Sequence, residues 1–162
     1  MTGINYEGKK RSGAGGDKVS LDVVGHINRK CLSRELLNKI LIDFFAPEGD
    51  ITVQFNGRSI TYEGFIDENI LILFFVEERY SPPHNVWVSD ILKGEFEFAQ
   101  LLIFNLEKEY STIDTYKIVI DFFIFLHSFI DSDILVTSDA HNDICLLKDE
   151  EIMWAQDCVF NQ

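Results

Sequence analysis

The residues best suited to chemistry lie near the carboxyl end of the chain, where Asp139, His141 and Asp143 occupy alternate positions of a polar stretch. Alternating oxygen ligands closed by a later glutamate are typical of a calcium-binding loop, and Glu150 has the position of that glutamate. However, Ile144 stands where such a loop needs glycine, and the flanking residues favour strands rather than helices. The pattern therefore favours a polar hairpin loop over a calcium site.

Two further carboxylates, Asp131 and Asp133, precede this stretch and enlarge the possible set of metal ligands. Carboxylates and imidazoles hold catalytic metal ions, so the whole set would suit a small metal-dependent enzyme. That set is Asp131, Asp133, Asp139, His141 and Asp143. Nothing in the spacing shows that these side chains converge, and solvated carboxylates are the ordinary content of a protein surface. The metal-dependent enzyme is therefore the alternative interpretation.

Other patterns of catalysis and cofactor binding are missing from the sequence. There is no nucleophile elbow and no paired Cys and His signature. The glycine-rich stretch 13–16 lacks the Lys-Ser/Thr pair of a phosphate-binding loop, and Lys18 replaces the third glycine of the dinucleotide fingerprint. We therefore expect a protein that is not an enzyme and that uses no cofactor.

Net charge is the strongest signal in the composition, with 27 acidic and 14 basic residues giving −13 over 162 residues. Residues 1–20 hold four of the basic residues and two of the acidic ones, so this segment has a net charge of +2 and the remainder has −15. Glycines make ordering of the first segment costly, which predicts a flexible basic arm at 1–20 and one acidic domain at 21–162. The negative electrostatic field of this acidic chain repels nucleic acid and anionic membranes and attracts basic partners.

Periodicity predicts an α+β fold: a largely antiparallel sheet of five to seven strands with two main helices packed on one face. Strands are expected at 21–27, 70–76, 133–137 and 144–148, with the last two forming a hairpin. The segment beginning at Glu95 alternates as a strand, and whether it continues to Phe104 or gives way to a helix stays open. Helices are expected at 33–46, with Ser33 as its N-cap, and at 112–130. The tail from Asp149 to Cys158 is expected to form a short helix.

A two-residue hairpin turn at Asn56-Gly57 is the clearest local pattern, because this dipeptide supplies the positive φ angles of a type I′ turn. Pairing Phe55 with Arg58 would place Val53 opposite Ile60 on one face of the hairpin.

Acidic side chains gather beside the predicted strands and around the last hairpin, which suits a surface that faces a partner. The candidate partner-binding residues are Glu77, Glu78, Glu95, Glu97, Asp131, Asp133, Asp139 and Asp143. Glu95 and Glu97 alternate with two phenylalanines, so both carboxylates should project from one face of their strand. If this strand lies at a sheet edge, it could pair with a basic strand of a partner, or its charges could simply protect the edge from aggregation.

The stretch Phe125 to Lys148, FLHSFIDSDILVTSDAHNDICLLK, combines a helix with an acidic hairpin in a small, acidic chain that has fourteen Phe and three Cys. In this character the chain resembles the immunity proteins of bacterial contact-dependent growth inhibition and related toxin systems. The three cysteines are odd in number and form no CxxC pair, which indicates a reducing compartment, so we expect a cytoplasmic protein. The resemblance implies a non-enzymatic inhibitor that binds the C-terminal toxin domain of its own system, frequently a nuclease, and blocks its active site. No motif transfers residue by residue, and a DNA-mimic inhibitor is a further alternative that the charge allows.

Overall fold

The computed structural model describes residues 21–45, 52–56, 59–66, 69–76, 85–106, 113–138 and 142–156, and it describes the backbone alone at 21, 52–56, 59–66, 69–76 and 113–115. The expected arm at 1–20 lies outside the described residues. The two helices are α1 (Arg34–Phe45) and α2 (Ile113–His127). The strands are β1 (Leu21–Ile27), β2 (Thr52–Asn56), β3 (Ser59–Ile66), β4 (Asn69–Val76), β5 (Val86–Ser89), β6 (Gly94–Glu97), β7 (Gln100–Leu106), β8 (Ile134–Ser138), β9 (Asn142–Lys148) and β10 (Glu151–Trp154).

Eight of the described strands form one sheet in the order β10-β9-β8-β1-β7-β4-β3-β2, and β5 and β6 form a separate two-stranded sheet. Every pairing between these strands is antiparallel. The predicted α+β class is thus confirmed, and the main sheet has one strand more than the upper end of the expected range. β1 lies between β7 and β8, so the first strand of the domain is central to the sheet.

The two helices pack on one face of the main sheet, as expected. Their phenylalanines bury against each other and against the sheet: the rings of Phe45 and Phe122 stack at 5.4 Å between centroids, and Phe104 of β7 meets Phe122 edge-on at 5.3 Å. Gly25 of β1 makes room for this layer, because a Cβ at that position would overlap the ring of Phe123. The absence of a side chain at Gly25 therefore lets α2 approach the sheet closely.

The connection between β1 and α1 is fixed by two side chains. Ser33 caps α1 as predicted, since its Oγ accepts a hydrogen bond from the backbone N–H of Leu36 at 3.2 Å. The buried Gln100 holds the residues just before the cap: its Oε1 accepts from the N–H groups of Cys31 and Leu32, and its Nε2 donates to the carbonyl of Leu32. The two bonds to Leu32 satisfy the backbone N–H and C=O of a buried residue.

The opposite face of the main sheet carries the β5–β6 hairpin as a third layer. Phe96 and Phe98 are buried there against Leu135 of β8 and Leu146 of β9, with Trp87 packed beside them. Leu101 of β7 and Met153 of β10 pack against the same cluster. The hairpin therefore covers the part of the sheet that runs from β10 to β7.

Three local predictions are corrected or decided by the structure. The first hairpin forms, but Asn56 pairs with Ser59 and Phe55 pairs with Ile60, so the register predicted from Phe55 and Arg58 is wrong. The shift moves each partner by two residues, which leaves the same residues on each face. The segment after Glu95 remains extended, but it changes from the small sheet to the main sheet between Glu97 and Gln100.

The expected C-terminal helix is wrong, because Glu151–Trp154 is strand β10 and pairs with β9. Asp149 adopts a left-handed φ of 56° between Lys148 and Glu151, which are paired directly across a two-residue turn. The chain can therefore reverse at once and bury Met153 and Trp154 on opposite faces of the sheet. The hairpin predicted before it is confirmed as β8 and β9, with a bulge between Val136 and Thr137.

Candidate partner-binding surface

The β5–β6 hairpin has two chemically different faces. Strand alternation turns Trp87 and Phe96 toward the main sheet, whereas Val88 lies directly opposite Glu95, and Val86 opposite Glu97, on the outer face. Val88 is 73% exposed, the largest exposure among the large apolar side chains that the structure describes. Glu95 and Glu97 are exposed as well, which confirms that both carboxylates project from one strand face.

We call the four residues Val86, Val88, Glu95 and Glu97 the outer hairpin face. Val88 is exposed and Val86 is half-buried, and both lie beside the two carboxylates of β6. Asp90, in the turn that joins the strands, adds a third exposed carboxylate near one end of this face, and Lys93 of the same turn adds one positive charge. The outer hairpin face is therefore acidic along β6 and apolar along β5.

Asp143 fastens this hairpin to the main sheet. Its Oδ1 accepts a hydrogen bond from Nε1 of Trp87 at 3.0 Å, and its Oδ2 accepts from Oγ of Ser89 at 2.7 Å and from the backbone N–H of Ile91 at 3.2 Å. Hydrogen bonds to an ionised carboxylate are shorter and stronger than those between neutral groups. Asp143 thus carries an internal structural role, with its oxygens turned to the hairpin.

His26 of β1 lies beneath the hairpin and completes the anchor. Its ring is 4.9 Å from that of Trp87 and 5.0 Å from that of Phe98, measured between centroids. Because the carbonyl of Leu135 can only accept, the contact of 3.1 Å means that Nδ1 of His26 donates to it. Burial lowers the pKa of His26 to about 4, and this effect outweighs the Leu135 carbonyl and the Asp143 carboxylate, both of which favour the charged ring.

Of the other candidate residues, the structure describes two and leaves four outside the described ranges. Asp131 is exposed and lies 3.3 Å from the guanidinium of Arg29, a surface ion pair of little energetic weight. Asp133 is half-buried, and its backbone carbonyl accepts from the N–H of Asn28. Glu77, Glu78, Asp139 and His141 lie outside the described residues.

The metal-ligand set considered from the sequence is not brought together in the described part of the chain. Asp133 precedes the first residue of β8, whereas Asp143 pairs with Thr137 near the other end of that strand. Four residues of extended strand separate these positions by about 13 Å, too far for one metal ion to bridge. Within the described ranges, no group of three or more His, Cys, Asp or Glu side chains is placed to hold a metal.

The sequence predicts that Glu95 and Glu97 project from one strand face, but it does not reveal the residues that anchor their hairpin. Asp143 is predicted as a partner-binding residue, because a carboxylate in a polar loop has no pattern that distinguishes an anchor from a surface charge. For His26 the sequence offers one indication, the strand alternation that places it with Asp22 and Val24 on one face of β1. Trp87 is held toward the main sheet, because its Nε1 donates to Asp143.

Comparison with protein-family models, with curated proteins and with solved structures finds no match. Among the described residues, no helix is both long and apolar enough to span a membrane. The function must therefore be argued from the residues of this chain.

Proposed function

We propose that this protein is an immunity-type inhibitor, which binds a basic toxin domain of its own system through the outer hairpin face and so blocks the toxin's active site. The supporting observation is the combination of Val86 and Val88 with Glu95 and Glu97 on a hairpin fixed by partly buried hydrogen bonds. The partner is a protein domain, most simply a cationic nuclease, and the protein acts without a cofactor in the cytoplasm of the cell that makes the toxin.

Charge and rigidity each support one part of this proposal. The domain from residue 21 onward has a net charge of −15, which speeds encounter with a cationic protein and makes that encounter sensitive to salt. The exposed Val88 and the half-buried Val86 add apolar contact area to the complex once water is displaced. Since Asp143 and His26 hold the hairpin in place before binding, little conformational entropy is lost when the partner docks.

Co-expression with the toxin domain encoded next to this gene tests the proposal. We expect the two proteins to purify as a stoichiometric complex, and we expect the purified protein to abolish the toxin's activity at an equimolar ratio. A matched arm uses an unrelated basic nuclease, which should not be inhibited. If the neighbouring toxin domain neither binds nor loses activity, the proposed function is wrong.

A further inference from the structure

One hydrogen bond shows which backbone groups of the two hairpin strands point outward. The N–H of Phe98 donates to the carbonyl of Asn85 at 2.8 Å, which makes this residue pair a hydrogen-bonded one. Bonded and non-bonded pairs alternate along an antiparallel ladder, so Val86 and Val88 belong to non-bonded pairs. Their backbone N–H and C=O groups therefore point away from β6, toward the free side of β5.

The two edges of the hairpin differ in what lies beside them. On the β6 side, Nδ2 of Asn28 donates to the carbonyl of Glu97 at 2.8 Å, and the N–H of Ala99 donates to the carbonyl of Ile27. On the β5 side, the small sheet ends, and within the described ranges no backbone hydrogen bond reaches Val86 or Val88. The edge expected from sequence to accept a strand, that of Glu95 and Glu97, is partly occupied, whereas none of the described strands other than β6 pairs with β5.

We infer that the outer edge of β5 binds an extended segment of the partner in which lysine or arginine recurs at alternate positions. The inference rests on the proposed function and assigns the recognition mode of the same surface. An added strand would pair with the backbone of Val86 and Val88. Lysine stems on its outer face would lie along Val88, with their ammonium groups directed toward Glu95.

The edge of β10 serves as a control within the same chain, because β10 is also an edge strand but differs from β5 in the side chains beside it. The N–H of Ala155 donates to the carbonyl of Ile144, so by the same alternation the backbone of Ile152 points away from β9. The residue directly across from Ile152 is the buried Leu147 rather than a carboxylate. A basic strand would therefore find backbone partners at β10 without the adjoining carboxylate pair that the outer hairpin face supplies.

Proline substitution separates backbone pairing from side-chain contact. Val88→Pro removes only an N–H that faces outward, so the hairpin keeps its own hydrogen bonds. Val88→Ala trims the side chain and keeps the N–H. Ile152→Pro makes the matched change on the β10 edge. Thermal unfolding of each variant verifies that the fold is retained.

The probe is a capped heptapeptide in which lysine and threonine alternate, titrated into the full chain at low salt and followed by amide resonances. We expect the largest shifts at Val86 and Val88, and roughly tenfold weaker binding for Val88→Pro, as for the loss of one backbone hydrogen bond. Ile152→Pro should bind like the parent protein. A peptide methylated at alternate backbone nitrogens should also bind weakly, which keeps the test valid if Val88→Pro does not fold.

Two outcomes overturn the inference: the peptide does not bind, or it binds Val88→Pro and the methylated peptide binds the parent protein without loss. Failure of this inference is distinguishable from failure of the proposed function. A toxin complex that forms equally well with Val88→Pro would exclude strand addition at β5 and leave the inhibitor role in place. A parent protein that binds no toxin domain would remove the inhibitor role itself.

Discussion

His26 should make the free energy of unfolding depend on pH in a way that can be calculated. The ring is neutral when buried, with a pKa of about 4, whereas its pKa in the unfolded chain is 6.5. Between these values the unfolded state binds more protons than the folded state, so stability decreases as the pH falls below 6.5 and continues to decrease until the folded ring also titrates. The full gap corresponds to about 3 kcal/mol, since one pKa unit is about 1.4 kcal/mol.

The matched variant is His26→Phe, which keeps an aromatic ring against Trp87 and Phe98 but cannot titrate. Urea unfolding followed by tryptophan fluorescence gives the free energy of unfolding at about pH 7.5 and at about pH 5. Because the other titrating groups are shared, the parent protein should lose about 2 kcal/mol more than the variant between these two conditions. Equal losses in the two proteins would refute the conclusion that His26 is buried in its neutral form.

Three further substitutions test the fold and the anchor by the same unfolding measurement. Gly25→Ala should destabilise by about 1–3 kcal/mol through overlap with Phe123, and a second change, Phe123→Leu, should recover part of that loss; an unchanged stability for the single variant would contradict the close approach. Asp143→Asn should lower the free energy of unfolding by about 1–3 kcal/mol. Its amide nitrogen cannot accept the hydrogen bonds that Ser89 and Ile91 donate to Oδ2, whereas its amide oxygen can still accept from Trp87. An unchanged stability would mean that Asp143 does not anchor the hairpin. Ser33→Ala should cost about 1 kcal/mol as an N-cap loss, and Ser33→Asp should retain the parent stability; equal stabilities of both variants would argue against the cap.

Long periodic elements were predictable because their patterns are local. β1 has the bounds expected from LDVVGHI, and α1 begins after Ser33 as its capping residue indicates. The helix predicted at 112–130 is present as Ile113–His127. In each case the apolar spacing of one segment was enough to specify the structure.

What the sequence did not predict depends on contacts between distant segments. The first hairpin pairs Asn56 with Ser59, although Asn-Gly favours a register in which these two residues form the loop. The faces of its strands are the same in both registers. The tail becomes a strand because β9 offers a free edge, which no local propensity reveals. The anchoring roles of Asp143 and His26 likewise arise only when the β5–β6 hairpin folds across the sheet.

The most direct test of the central claim compares two variants that remove the same charge from different faces. The pair Glu95→Gln and Glu97→Gln neutralises the outer hairpin face, whereas Asp43→Asn and Asp121→Asn neutralise exposed residues on the helices across the sheet. The measurement is the dissociation constant of the complex with the proposed basic toxin domain, at low and at high salt. We expect the first pair to weaken binding roughly tenfold or more and the second to leave it nearly unchanged. Equal effects of the two pairs, or no effect of the first, would contradict the account.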